Sequence, residues 1–331
     1  MRDLTQWLLA SPTPSIRYLT LRHLLDHDER SPYVQDARSE MRITGPIPTI
    51  LERQTPTGNW QGDPGYYGPK YVGTHWSMIL LAELAADPDD PRLHRAIDFM
   101  LTVTERNYML EDRFDASVPS PDQYGLTCFW GNVLRYIAHC NRADDPRVPR
   151  IVDYLVRNLT TGGCHCQINA YLPCAWGAVR SLWGLAALPQ HSEAVTDAIN
   201  RALGFLLSPE YQNPPGNYPT PGTVHKLWSG LNFPLFYQVD ILLMLRTLGE
   251  LGALGHPGAQ PALAWLMRQR QMNGHWRGSN PYGSRTWRIP GDTQDISRWV
   301  SLHAAIVLRQ AEAQRAMRET SPMPTSASAL K

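Results

Sequence analysis

Apolar residues recur at i, i+3, i+4 along most of the chain. Ile97, Met100 and Leu101 keep this spacing, as do Ile151, Tyr154 and Leu155, and Leu263, Leu266 and Met267. It is the period of a helix with one buried face. Between these amphipathic segments lie others that are apolar on more than one face: 75–86, 128–139, 174–188, 236–249 and 296–309. Elements of that kind are buried between neighbours. Alternating runs of β-branched residues bounded by hairpin turns, the mark of strands, do not stand out. The pattern predicts an all-α chain in which two kinds of helix alternate.

The connections repeat as well. Asp87-Pro88-Asp89-Asp90-Pro91-Arg92 follows one apolar helix, Asp144-Asp145-Pro146-Arg147 the next, and Gly255-His256-Pro257-Gly258 a later one. Asp caps a helix, and Pro is tolerated in its first turn because no N–H partner is needed there. The opposite ends also match. Gln54-Thr55-Pro56-Thr57-Gly58-Asn59-Trp60 resembles Gln271-Met272-Asn273-Gly274-His275-Trp276 and, more loosely, the segment at Gly162-Gly163-Cys164. With Cys128, Cys174, Tyr237 and Trp299 as equivalent positions, the repeat is a helix pair of about 50–60 residues. Such pairs stack into an open solenoid or close into a ring. Small residues in the apolar helices (Gly131, Gly177, Ala178, Gly184, Ala186) favour closure, with those helices innermost. The expected fold is an all-α α/α toroid of five to six helical hairpins over residues 46–315. A helical extension over 1–45 precedes it, and a disordered tail over 316–331 follows.

The Gln-x-x-x-Gly-x-Trp turns and Asp-Pro-Arg helix starts resemble those of the terpenoid cyclase and protein prenyltransferase superfamily, from about Thr49 to Leu308. Cys128-Phe129-Trp130-Gly131-Asn132, Gly162-Gly163-x-x-Cys166, Cys174-x-x-Gly177 and the run from Phe233 to Asp240 resemble a bacterial branch of squalene-cyclase-like repeat proteins. The resemblance implies an α/α toroid, and more weakly an enzyme that cyclises an isoprenoid-like substrate or transfers a prenyl or alkyl group. Protein prenyltransferases hold zinc with Asp-x-Cys and a later His. Here Leu172 stands two before Cys174, and Tyr237 stands one repeat later, so that ligand set is not reproduced. Lanthionine-forming cyclases, also toroids, bind zinc through two Cys and one His.

Composition narrows the field further. Hydrophobic residues make up 43% of 331, enough for a large core. Lys and Arg number 31 against 30 Asp and Glu, which speaks against a nucleic-acid surface. The sequence contains no apolar run of membrane-spanning length and no apolar signal stretch near Met1, so a cytoplasmic protein is expected. All five Cys fall between positions 128 and 174. In a toroid, the starts of adjacent inner helices meet at one rim, where Cys128, Cys166, Cys174 and Cys164 would converge. His165, His75 and His225 are further donors, so Zn²⁺ is the expected cofactor. Cys140, at the far end of its helix, reads as structural.

Asp87-Pro88-Asp89-Asp90 resembles the acid motif of class II terpene cyclases, but it sits in a solvated turn that recurs at Asp144-Asp145. It reads as a capping turn. Asp240, placed in an apolar helix with Tyr237 three residues before it, is the candidate catalytic acid with Tyr237 as its partner. Asp112 and Asp115 are a poor match to a metal–diphosphate motif. Trp76, Trp130, Trp176, Phe236 and Trp299 are candidate pocket residues for a small apolar substrate. The alternative function is a non-catalytic binding or scaffold protein with a structural Cys-rich zinc site. Four protein ligands on the metal would favour this second reading; three with an open position would favour catalysis.

Overall fold

In a computed structural model, the structure describes residues 2–62, 66–106, 126–160, 163–164, 166, 172–208, 224–288 and 294–320. The described residues are helical, with isolated bridges such as Gln54–Trp60 and no strand. Among the described residues, thirteen α-helices run α1 Arg2–Leu9, α2 Pro14–His23, α3 Pro32–Met41, α4 Pro46–Leu51, α5 Thr74–Glu83, α6 Pro91–Arg106 and α7 Thr127–His139. They continue as α8 Val148–Asn158, α9 Ala175–Ala186, α10 Glu193–Leu207, α11 Ile241–Glu250, α12 Gln260–Arg268 and α13 Asp295–Thr320. The last helix passes the expected start of the tail, so 316–320 are helical, while 321–331 lie outside the described residues.

The helices form the two rings expected. α5, α7, α9, α11 and α13 pack on one another in order, and α2 follows α13. α6, α8, α10 and α12 pack on the outside of this inner series. The segment at the chain start completes the circle. The buried Asp295 accepts hydrogen bonds from Ser11 (3.0 Å) and Thr13 and pairs with Arg298 (3.1 Å), which ties α13 to α1 and α2. Arg38 of α3 reaches Asp87 behind α5 (3.2 Å), and α4 packs on α5. One continuous apolar core runs from Leu4 to Val307.

Repeated sequence gives repeated hydrogen bonding. In the first Gly-x-Trp turn the indole of Trp60 donates to the Ile50 carbonyl (2.7 Å), and its backbone N–H donates to Thr74 at the start of α5 (3.1 Å). In the last, Trp276 donates to Leu266 (2.8 Å) and its backbone to Ser301 on α13 (2.9 Å). Each Trp thus pins the end of an outer helix to the next inner one. Gly58, at φ 91°, has no room for a Cβ, which would press on the Arg95 carbonyl. The acidic turns act as caps, as their sequence indicates. Asp90 accepts from the Arg92 N–H (2.8 Å) and pairs with its guanidinium, and Asp145 does the same for Arg147 (3.1 Å).

Two features set the ring's interior. α7 and α9 touch through glycine: a Cβ on Gly131 would drive into the Arg180 carbonyl, and one on Gly184 into that of Gly131. Across the ring, Arg246 of α11 makes a two-pronged pair with Glu83 of α5 (2.8 and 3.0 Å), and Arg135 of α7 pairs with Glu250 of α11 (3.0 Å on one prong). Burial works against ionisation of Glu83, but Arg246 outweighs it and holds the carboxyl at about 2. The space between Glu83, Arg180, Asp240, Arg246 and His303 is a cavity of about 10 Å³, roughly one water. Charged and polar side chains line that space.

Glu83→Gln should destabilise the fold by about 3–5 kcal/mol, because Arg246 is left buried and unpaired. The Glu83→Leu/Arg246→Met double variant should recover much of that loss. Since the folded-state value of Glu83 lies below its ordinary 4.5, its contribution is present above that pH and is lost as pH falls through about 2. Urea unfolding of the three proteins as a function of pH checks both statements.

Candidate functional site

The sites proposed from sequence fall into two groups. One gathers where α5, α7 and α9 begin, and we call it the rim cluster. Cys128 lies in the first turn of α7, and Cys174 is the N-cap of α9, its sulfur accepting from the Gly177 N–H (3.3 Å). Cys174 is in hydrogen-bonding contact with the sulfurs of Cys164 and Cys166, and its charge state is coupled to that of Cys128. Cys128, Cys166 and Cys174 are half-buried, whereas Cys164 is fully enclosed. Cys164 donates to the Cys174 carbonyl (3.3 Å), accepts from Thr127 (3.3 Å), and fills the space a Gly177 side chain would need. It therefore fastens α7 to α9 from the turn between them.

Aromatic rings surround the three half-buried thiols. Tyr237 lies 6.0 Å from Trp76 and 6.2 Å from Trp176 between ring centroids, with Lys70 Nζ 4.9 Å above its face. His225, exposed, meets Trp176 edge-on at 4.9 Å. Trp76 is buried and donates to the Tyr67 carbonyl (2.6 Å). Phe236 lies beneath, 5.6 Å from Trp76 and 4.9 Å from Tyr282. His75, 1% exposed, packs on Phe129 at 4.4 Å with no partner for Nδ1, and burial lowers its pKa to about 3. It is neutral.

The second group lies elsewhere. Trp130 turns outward to Tyr154 of α8 (6.4 Å), between the two rings of helices. Trp299 stacks on Phe233 at 4.4 Å in the core beside His303. Trp130 reaches the rim cluster only by its edge, meeting Phe129 at 4.9 Å. Asp240 is not inside a helix. α11 begins at Ile241, and Asp240 is its N-cap, so the expected pairing with Tyr237 one turn earlier on the same helix does not form. Its carboxylate accepts from Leu243 N–H (2.8 Å), Asn232 N–H (2.9 Å) and Asn232 Nδ2 (3.2 Å). Burial still raises its pKa to about 6. His165, Asp112 and Asp115 lie outside the described residues.

Among the described residues no three His, Cys, Asp or Glu groups are arranged to hold a metal ion. Burial pushes Cys128 up to about 12, and hydrogen bonding with Cys164 together with burial pushes Cys174 up to about 12. The residues that sequence reasoning missed are Lys70, Tyr71, Arg180, Tyr282 and Arg285. Arg180 carried a signal, a lone charge within an apolar helix; the other four sit in segments without a repeat counterpart.

No protein-family model and no curated protein matches the chain. Solved structures do resemble it. A polysaccharide lyase is 13% identical over 97% of this chain and 92% of its own, with a TM-score of 0.48. A glycosyl hydrolase family 88 protein from Bacteroides vulgatus is 12% identical over 95% and 91%, at 0.47. A type II terpene cyclase from Scytonema is 16% identical over 81% and 96%, at 0.28. None of these scores reaches 0.5, and none bears on the reaction. From its own packing, the chain is an all-α protein with the helix order of an α/α toroid. Among the described residues, no helix is long and apolar enough to cross a membrane.

The thiol surroundings give a pH prediction. In the folded protein, Cys128 and Cys174 should remain protonated at pH 9, the ordinary thiol value, and titrate only well above it. In urea the thiols should titrate near that ordinary value. Thiolate ultraviolet absorbance measured against pH checks this, and a thiolate wave near neutrality in the folded protein would show a cation or metal ion held by the sulfurs.

Proposed function

We propose that this protein is an α/α-toroid enzyme acting on a small substrate with an apolar, isoprenoid-like body, bound at the rim cluster. The observation that carries the reading is the gathering of Tyr237, Trp176 and the half-buried thiols at one end of the inner helices. The interior below them is occupied by ion pairs. The aromatic faces suit an apolar chain and favour positive charge developing along it.

Tyr237 is the residue placed to move a proton. Burial, then its hydrogen bond with Tyr71, raises its pKa, so the phenol stays protonated through the neutral range. It serves as a general acid, donating its phenolic proton to the oxygen of a leaving group. Asp240 keeps its capping duty and takes no part in this step.

Geraniol, a short neutral isoprenoid alcohol, should raise the melting temperature of the wild-type protein. The shift should be lost in Trp176→Ala. With a converted substrate in hand, Tyr237→Phe should bind normally and lower kcat by about 10²–10⁴-fold. Absence of a geraniol shift, or an equal shift in Trp176→Ala, overturns the reading.

A further inference from the structure

Three cations surround the tyrosines of the rim cluster, and none has a carboxylate partner among the described residues. Lys70 lies over Tyr237 at 4.9 Å. Arg285 lies over Tyr71 at 5.4 Å and donates only to the carbonyls of Tyr282 (3.2 Å) and Pro281 (3.2 Å). Arg180, 1% exposed, donates to the Gln238 carbonyl (2.8 Å) and stacks near Trp183 at 5.0 Å. Its bond to Gln238, the residue after Tyr237, sets it beside the cluster, and its charge is felt at Cys128, His75 and Tyr282.

Arg180 is the decisive group. A guanidinium buried with no carboxylate in contact is costly, and the nearby charge of Glu83 offsets its burial only in part. The nearby acids are committed elsewhere: Glu83 holds both prongs of Arg246, and Asp240 gives its oxygens to Asn232 and Leu243. Arg180 Nε has no hydrogen-bond partner, and neither does Trp176 Nε1 four residues earlier on α9. That spacing puts both unpartnered donors on one face of the helix. A water in the adjoining 10 Å³ cavity would satisfy an N–H without neutralising the charge. Two buried donors and two exposed cations, with aromatic faces between them, match one kind of ligand head.

We propose that the rim cluster binds an apolar monocarboxylate, its carboxylate held by Trp176 Nε1 and Arg180 from within and by Lys70 and Arg285 from the surface side. A monoanion fits better than a phosphate dianion, because only one of the cations is buried and a second negative charge would have to be desolvated without a partner. The proposal rests on the reading of this cluster as the substrate site and adds the charged head to the apolar body.

Geranic acid and geraniol share a body and differ at the head, so they separate the two readings. Binding is read by melting temperature and by isothermal titration calorimetry, both at neutral pH. Geranic acid should bind at least about tenfold more tightly than geraniol, the scale of one charge-assisted hydrogen bond. Trp176→Phe, which keeps a ring and removes the donor, and Arg180→Met should each reduce that preference. Without ligand, Arg180→Met should be at least as stable as wild type; a marked loss of stability would show that Arg180 serves the fold and overturns the proposal. Equal binding of acid and alcohol overturns the proposal and leaves the substrate-site reading standing. If neither binds, both fall. Should Arg180→Met not fold, that too counts against the proposal, while the wild-type comparison and Trp176→Phe still test the head-group preference.

Discussion

The pairing of Glu83 with Arg246 is the interaction on which the interior depends. It joins α5 to α11, helices that are not sequence neighbours, and a partly parallel device joins α7 to α11 through Arg135 and Glu250. Burial alone would leave each of these groups a liability, since desolvation removes more than Coulomb attraction returns unless the geometry is good. Two-pronged contact at 2.8 and 3.0 Å supplies that geometry. With the interior committed to charges, the aromatic and thiol side chains gather where the inner helices begin. The location of the candidate chemistry thus follows from how the ring is held shut.

Much of the architecture was legible because it repeats. A Trp two residues after the loop Gly, or an Asp two before an Arg, makes the same hydrogen bonds wherever it recurs, so Trp60 and Trp276, or Asp90 and Asp145, can be read from one another. Inner-helix starts at Thr74, Thr127 and Ala175 fall within a residue of their expected places. The segment before α11 departs from the pattern. An apolar run through Phe236 and Val239 reads as helix, yet Pro234 and the bond from Asn232 to Asp240 belong to an irregular approach, and the helix begins only after Asp240. The capping preference of Asp ahead of Ile241 and Leu242 was the available signal.

The candidate site was less legible for a different reason. Cys128 and Cys174 occupy equivalent ends of adjacent helices, as their repeat spacing indicates. Their protonation state was not foretold, since it depends on how much of each sulfur the neighbouring helices cover. Likewise an inward-facing Trp cannot be told from an outward-facing one by helical register alone when both faces are apolar. Trp130 and Trp176 illustrate the two outcomes.

The glycine seam between α7 and α9 has a consequence for how such a chain diverges. Gly131 and Gly184 fix the separation of two inner helices, and the crossing ion pairs fix which helices face each other across the ring. An open stack of helical hairpins can gain or lose a unit at either end at little cost. Here the first helices are bolted to the last through Asp295, so inserting a hairpin would pull Glu83 away from Arg246 and leave two buried charges stranded. The number of repeats is therefore locked by electrostatics, and change is steered toward the turns and the helix starts, where the chemistry sits.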